Sequence, residues 1–166
     1  RSYAFRRGAF QVGPRRTPGP MYDRILVPTD GSSGTTKTLD HAISIARDND
    51  AALHVLYVVD RRLFLAADED AQSEVVASLE AQGDDAVDAA AVQARDAGIE
   101  VVAERREGVP HRAIVDYADE AGIDLVAMGT HGRTGRDRLA ALGSVTDRVV
   151  ETTHCPVLVV NIEDGE

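Results

Sequence analysis

Short apolar runs alternate with longer amphipathic stretches along most of this chain, and this alternation limits the possible folds more than any other feature. Apolar residues recur at i, i+3, i+4 and i+7 in the first long stretch, at Leu39, Ala42, Ile43 and Ala46, which is helical spacing. Several short runs are apolar without a break, as strands covered on both faces are. The order β-α-β-α-β-α-β-α-β therefore predicts an α/β fold, with one parallel sheet between two layers of helices.

The predicted elements follow from these patterns and from the turn residues that bound them. The predicted strands cover residues 24–28, 53–59, 99–103, 123–128 and 156–161. The predicted helices cover residues 38–48, 70–97, 110–121 and 145–152. A chain of 166 residues with 43% hydrophobic residues suits a single domain with one sheet.

The charge of the chain excludes several classes of protein. Lys plus Arg is 18 and Asp plus Glu is 28, a formal net charge of −10. Residues 1–20 hold five arginines and no acid, so residues 21–166 carry 13 basic and 28 acidic side chains, a net charge of −15. Such a domain lacks the basic surface that nucleic acids and anionic membranes require, so we expect neither as a partner.

Other features indicate where the protein works. No apolar run approaches the roughly 18 residues of a membrane-spanning helix, and the N-terminus lacks the apolar core of a signal peptide. Cys155 is the single cysteine, so an internal disulfide is excluded. We therefore expect a soluble cytoplasmic protein. The many acidic residues, with Lys37 as the sole lysine and 4% aromatic residues, are typical of a halophilic protein; a solvated acidic face on a mesophilic protein is the alternative.

Residues 1–20 differ from the rest of the chain in composition. They combine arginines with Gly and Pro and show no periodicity, which predicts a disordered basic extension. Met21 directly precedes the first strand and is the expected start of the folded domain, residues 21–162. An arm that contacts the acidic body or an anionic partner is the alternative interpretation of these residues.

Two polar segments follow predicted strands and carry the chemistry. The first, residues 27–33, reads VPTDGSS; the second starts at Met128 as MGTHGRTG and continues to GSVT at residues 143–146. Glycines let the backbone approach an anion closely, and Gly143 and Ser144 lead into a helix N-terminus with its N–H donors. Arg133 would add positive charge, with Arg136 and Arg138 nearby. These features predict an anion site of nucleotide type at the carboxyl ends of the strands.

Known phosphate-binding motifs are absent from this sequence. It has no G-x-x-x-x-G-K-[ST], which excludes a P-loop, and no G-x-G-x-x-G after the first strand, so a dinucleotide site of Rossmann type has no support. Adenylyl transfer in related sheet folds uses a histidine motif directly after the first strand, and residues 28–33 contain no histidine. The scattered histidines (His41, His54, His111 and His154) lack metal-ligand spacing and are expected to be structural.

Taken together, ILVPTD at residues 25–30, MGTHG at 128–132, GSVT at 143–146 and CPVLVV at 155–160 resemble the universal stress protein family. The resemblance spans residues 22–161. It implies a flavodoxin-like sheet (adenine nucleotide alpha hydrolase-like) of strand order 3-2-1-4-5. It also implies a homodimer paired through the last strand, from Pro156 to Asn161, and, in one subgroup, bound ATP.

The ATP-binding subgroup is marked by G-x-x-G, nine residues and then G-[ST]. Gly129, Gly132, Gly143 and Ser144 are present here, but residues 133–142 make ten residues between the two halves. The extra residue falls around residues 139–142. It is either a bulge in the loop or a change that moves Ser144 away from the phosphates.

The resemblance also implies a role for each matching residue. At the adenosine end, Pro28, Thr29 and Asp30 would line the site, and Val58 would offer backbone contacts to adenine. Met128 and Gly129 would border the ribose. The phosphates would contact Gly132, Gly143, Ser144, Val145 and Thr146. A Mg²⁺ or Mn²⁺ ion would lie alongside, held mainly by the phosphates. Apart from the resemblance, the place of His131 in the loop suggests that it bonds a phosphate or fixes the turn, and the charge of Arg133 suggests that it lies near the phosphates.

Several of these residues also have simpler explanations. Asp30 could form an Asx-turn with the next two residues, and Ser144 with Asp147 matches a capping box, which requires no ligand. No catalytic residue is evident. We expect an ATP-binding regulatory or stress-response protein; the alternatives are a slow ATP hydrolase and a dimerising module that binds AMP or no nucleotide.

Overall fold

The computed structural model describes residues 19–131 and 142–162, which form a five-stranded parallel sheet in the order β3-β2-β1-β4-β5. The strands are β1 (Arg24–Thr29), β2 (Ala52–Asp60), β3 (Val101–Gly108), β4 (Leu125–Gly129) and β5 (Val157–Val160). The helices are α1 (Ser33–Asn49), α2 (Arg61–Leu65), α3 (Glu69–Asp96), α4 (Pro110–Ala121) and α5 (Ser144–Thr152). The predicted α/β class and strand order are confirmed.

Successive residues of the central strand pack into opposite helix layers. Ile25 and Val27 belong to the hydrophobic cluster beneath α1 and α3, whereas Leu26 belongs to the cluster beneath α4 and α5. All three side chains are fully buried. Because side chains alternate across a strand, covering both faces requires every residue to be apolar, which explains the unbroken apolar runs of the sequence.

Two elements differ from the sequence-based prediction. β3 continues through the charged residues Glu104–Glu107 to Gly108, because it lies at the edge of the sheet, where charged side chains reach solvent while the backbone pairs with β2. The short helix α2 was not predicted. Its N-cap is Asp60, whose carboxylate accepts a hydrogen bond from the Arg62 backbone N–H at 3.0 Å, so a capping residue was present in the sequence.

α1 begins at Ser33, five residues before the predicted start at residue 38, whereas the remaining elements agree with the prediction to within two residues. The helix α4 agrees at both ends. Pro110 occupies the first turn of α4, and Gly122 ends it in the left-handed conformation (φ 62°). None of the helices in the described part of the chain is long and apolar enough to cross a membrane. Most of the predicted N-terminal extension, residues 1–18, lies outside the described residues.

Candidate functional site

The strand order places a crevice at the carboxyl ends of β1 and β4. From β1, the chain proceeds to β2 on one side, while β4 lies on the other, so the connections after β1 and β4 diverge to opposite sides of the sheet. Open parallel sheets bind ligands at such a point. We call the two sides of this crevice the β1 lip (residues 29–35) and the α5 lip (residues 129–131 and 143–146).

Side-chain hydrogen bonds hold the β1 lip. Thr29 Oγ1 accepts from the Gly31 N–H at 3.1 Å and donates to Thr35 Oγ1 at 3.3 Å. Asp30 Oδ1 accepts from the Ser32 N–H at 2.9 Å, which is the predicted Asx-turn, and from Thr35 Oγ1 at 3.5 Å. Gly31 has φ 76°, so the tight turn requires a residue without a side chain. Asp30 is thereby held at the start of α1, half-buried at the rim of the crevice.

Mostly backbone groups hold the α5 lip. The Gly143 N–H donates to the Thr130 carbonyl at 2.7 Å, and Thr146 Oγ1 donates to the Gly129 carbonyl at 2.9 Å. These bonds bring the start of α5 against the end of β4. Thr146 is 4% exposed, so its hydroxyl belongs to the fold rather than to the surface of the crevice.

The capping-box interpretation of Ser144 is wrong. The N-cap of α5 is Gly143, no side chain caps it, and Ser144 is the first helical residue. In a capping box the serine stands at the N-cap position, before the first helical residue, and here that position is a glycine without a side chain. Among the residues that the structure describes, no side chain therefore caps the first-turn N–H groups of Ser144, Val145 and Thr146, and Ser144 is exposed. This arrangement leaves donors and the positive end of the helix dipole at the crevice.

The sheet register brings the predicted adenine contact to the same level as Asp30. Thr29 pairs with Tyr57, so the next residues, Asp30 and Val58, lie side by side at the carboxyl edge. Val58 is half-buried and packs with Met128 in the cluster beneath α4 and α5. Pro28 directly precedes Thr29 on β1 and is half-buried. The structure therefore brings Pro28, Thr29, Asp30, Val58 and Met128 together near one edge of the sheet.

The structure describes the glycine-rich loop only at its two ends. His131 Nδ1 lies 3.1 Å from Thr130 Oγ1, a contact that fixes the turn after β4. Gly132, Arg133, Arg136 and Arg138, and with them the ten-residue spacing, lie outside the described residues.

A second polar cluster lies behind β2, away from the crevice. His54 Nδ1 lies 2.7 Å from Tyr117 Oη, and the Arg106 guanidinium lies 4.6 Å from the centre of the Tyr117 ring. Arg106 also pairs with Glu104 and Glu120, both at 2.8 Å. Burial lowers the pKa of His54, and the charge of Arg24 lowers it further; burial also raises the pKa of Tyr117. These contacts join β2, β3 and α4, which agrees with the structural role predicted for His54.

Two residues of the site were missed at the sequence level. Thr35 links Thr29 and Asp30, and the signal for it was a hydroxyl residue in the first turn of the helix after the polar segment. Ile162 follows β5 and contacts both lips, as described below. No local pattern marks Ile162, because its partners are distant in the chain.

The profile of the Universal stress protein family matches residues 21–161 of this chain. The chain belongs to the universal stress protein family. Universal stress protein MJ0531 of Methanocaldococcus jannaschii is 39% identical over 141 residues, which are 84% of this chain and 82% of that protein. This family membership agrees with the resemblance noted in the sequence.

Solved structures of the family share the fold. The structure of protein MJ0577, also from Methanocaldococcus jannaschii, has a TM-score of 0.78 and 30% identity, and the match covers 87% of this chain and 99% of that one. A universal stress protein solved in complex with cAMP has a TM-score of 0.68 and 26% identity, covering 86% of this chain and 99% of that one.

Proposed function

We propose that this universal stress protein binds ATP in the crevice between the β1 and α5 lips, and that the nucleotide regulates the conformation or partner surface of a homodimer. The observation that carries the proposal is the start of α5. Within the described residues its first-turn N–H groups have no side-chain cap, and the Thr146 hydroxyl joins this turn to Gly129 at the carboxyl edge of the sheet. A helix N-terminus of this kind suits a phosphate group.

The opposite lip suits the nucleoside. The Asp30 carboxylate is oriented by the Ser32 N–H and the Thr35 hydroxyl, so it presents a fixed acceptor for ribose hydroxyls or adenine N–H groups. Val58 lies at the same level on β2, two residues before the end of that strand, and would offer backbone groups to adenine. A site with a carboxylate at one end and backbone donors at the other fits an adenine nucleotide lying across the crevice.

The charge of the domain limits how the phosphates can be held. Residues 21–166 carry a net charge of −15, so a triphosphate needs local compensation. Backbone donors of Ser144, Val145 and Thr146 would supply part of it, with Gly132, His131 and Arg133 of the loop. Gly143, whose N–H bonds to Thr130, would let the phosphates approach closely because it has no side chain. The described residues hold no group of three His, Cys, Asp or Glu side chains that could bind a metal ion. Mg²⁺ or Mn²⁺ would therefore be held mainly by phosphate oxygens.

A nucleotide with a single phosphate is the second candidate. The relative solved with cAMP shows that a fold of this family accommodates an adenine nucleotide without a triphosphate chain. AMP or cAMP would use the same β1 lip and only the first donors of α5. A comparison of ATP, AMP and cAMP under identical conditions separates the two candidates.

The homodimer part of the proposal concerns β5. This strand is at the edge of the sheet, paired with β4, and Val157, Leu158 and Val159 are half-buried. An apolar edge strand is a surface that pairs with another chain unless it is protected. We propose pairing through residues 156–161, and sedimentation of the wild-type protein beside Leu158→Lys tests it; an unchanged molecular mass would count against this interface.

High salt is the proposed working condition. At molar salt the Debye length falls to about 3 Å, so repulsion among the acidic residues is screened. We expect the protein to unfold in salt-free buffer and to recover at high KCl, as followed by circular dichroism. Full stability without salt would contradict this part of the proposal.

Calorimetric titration with ATP and MgCl₂ at high KCl tests nucleotide binding. We expect Asp30→Ala to weaken ATP binding about 10-fold or more, since a hydrogen bond to a charged group contributes about 1.5–3 kcal/mol. Asp88→Ala is the matched control, because Asp88 is an exposed carboxylate on α3. Equal affinities of the two variants would contradict the role of Asp30, and steady phosphate release from ATP would support a hydrolase instead.

A further inference from the structure

The residue that follows the last strand touches both lips of the crevice. If Gly34 carried a Cβ, that atom would lie 2.6 Å from Ile162 Cδ1; a Cβ on Gly129 would lie 2.9 Å from Ile162 Cγ2. Both separations are shorter than side chains tolerate, so Ile162 fits because both positions are glycine. Gly34 lies in the first turn of α1, and Gly129 ends β4.

Hydrogen bonds to Thr130 hold the segment that ends at Ile162 in this place. The Thr130 N–H donates to the Val160 carbonyl at 2.9 Å, and the Ile162 N–H donates to Thr130 Oγ1 at 3.3 Å. The Thr130 carbonyl in turn accepts from the Gly143 N–H at 2.7 Å. Thr130 thus connects the segment after β5 to the start of α5.

Ile162 is not simply a core residue. Neither hydrophobic cluster of the described residues includes it, and it is only half-buried. Its apolar side chain instead fills the space between the two polar lips. On one side it meets Gly34, whose neighbour Thr35 orients Asp30; on the other it meets Gly129, whose carbonyl accepts the Thr146 hydroxyl.

We propose that Ile162 is a positioning residue for nucleotide binding: it sets the separation of the β1 and α5 lips without touching the ligand. The proposal rests on the nucleotide-binding function proposed above. The two lips belong to different helices and different strands, so a side chain in contact with both can fix the width of the crevice. Ligand affinity depends on that width, because a nucleotide that contacts both lips loses contacts when they separate.

Truncation of Ile162 should weaken binding in two steps. Ile162→Val removes Cδ1, the atom nearest Gly34, whereas Ile162→Ala also removes Cγ2, the atom nearest Gly129. We expect ATP–Mg²⁺ affinity to fall about 5- to 10-fold in Ile162→Ala, a size typical of residues that act at a distance, and by less in Ile162→Val. Val150→Ala, at a side chain that is 43% exposed on α5, is the control and should bind as the wild-type protein does.

A compensating pair separates positioning from general destabilisation. Gly34→Ala alone should displace Ile162 and weaken ATP binding. Gly34→Ala combined with Ile162→Ala places a methyl group in the vacated space, so the double variant should bind ATP more tightly than either single variant. Thermal unfolding of each variant confirms that the titrated protein is folded.

Amide hydrogen exchange of the ligand-free protein tests the positioning without any nucleotide. The Gly143 and Thr130 N–H groups should exchange faster in Ile162→Ala, whereas Val126 in the centre of β4 should be unchanged. If the wild-type protein binds no ATP, the proposed function fails, and faster exchange at Gly143 still supports the positioning role. Unchanged exchange at both amides, or a folded Ile162→Ala protein with unchanged or tighter ATP affinity, would overturn the proposal.

Discussion

The two lips of the crevice are built in different ways. The β1 lip depends on the side chains of Thr29, Asp30 and Thr35, which bond to one another and to nearby N–H groups. The α5 lip depends mainly on the backbone of a helix that begins at a glycine, and the hydroxyls of its two threonines, Thr130 and Thr146, bond within the fold. The difference predicts that side-chain substitutions readily alter the β1 lip, whereas on the α5 lip the most sensitive side chain is Thr146, the more buried of the two threonines.

Removing the Thr146 hydroxyl should have the largest effect on stability. Thr146→Val keeps the shape of the buried side chain but leaves the half-buried Gly129 carbonyl without its 2.9 Å donor. We expect the free energy of unfolding to fall by about 1–3 kcal/mol, as measured by denaturant titration. Thr152→Val is the control, because the Thr152 hydroxyl bonds to its own helix in an exposed position. A cost below that of the control would mean that Thr146 does not join α5 to β4.

Acidification should destabilise the body of the domain rather than either lip. The unfolded chain protonates histidine near pH 6.5, whereas burial lowers the pKa of His54 in the folded protein. Between these two pKa values the unfolded state binds more protons, so the free energy of unfolding falls as pH drops below about 7, by at most about 1.4 kcal/mol per pH unit for one proton. Burial also lowers the pKa of His111, which adds a contribution of the same sign.

Denaturant titrations between pH 7.5 and pH 5 measure this dependence. His54→Gln should lose much of it, and His41→Gln, at an exposed position on α1, should retain it. If the free energy of unfolding of the wild-type protein did not change over this pH range, His54 would take up a proton as readily in the folded protein as in the unfolded chain, and the prediction would be wrong.

The Thr35 hydroxyl should have a smaller effect, confined to the β1 lip. Thr35→Val removes a group that bonds both Thr29 and Asp30. We expect a loss of about 0.5–1.5 kcal/mol in the free energy of unfolding, together with weaker ATP binding. Thr36→Val is the matched control, since the next residue along α1 is exposed. Identical stability and affinity in the two variants would remove Thr35 from the lip.

Ser144→Ala should have the smallest effect on stability. A capping serine would cost about 0.5–2 kcal/mol on substitution, but Ser144 is the first residue of α5 and caps nothing. We expect a change within about 0.5 kcal/mol, as for other surface substitutions. A loss above about 1 kcal/mol would restore the capping-box interpretation and weaken the contrast between the two lips.

Local patterns predicted the elements well where each pattern reflects one physical cause. Pro110 and Gly122 marked both ends of α4, and the unbroken apolar run of β1 marked a strand buried on both faces. The prediction of elements was poorer where an element depends on hydrogen-bond partners that are distant in the chain. The charged end of β3 is a strand because it pairs with β2, and local charge does not reveal that pairing. The strand order came from family resemblance, and the fold confirms it.

The sequence by itself determined the α/β class, the family and the edge of the sheet at which polar residues collect, because alternation and turn residues act over a few positions. Only the tertiary structure decided how that edge is assembled. In the folded protein, Gly143 is the N-cap of α5, the Thr146 hydroxyl donates to the Gly129 carbonyl, and Ile162 lies between Gly34 and Gly129. The contacts of Thr146 and Ile162 join segments that are distant in the chain, and their distances depend on how the helices pack on the sheet.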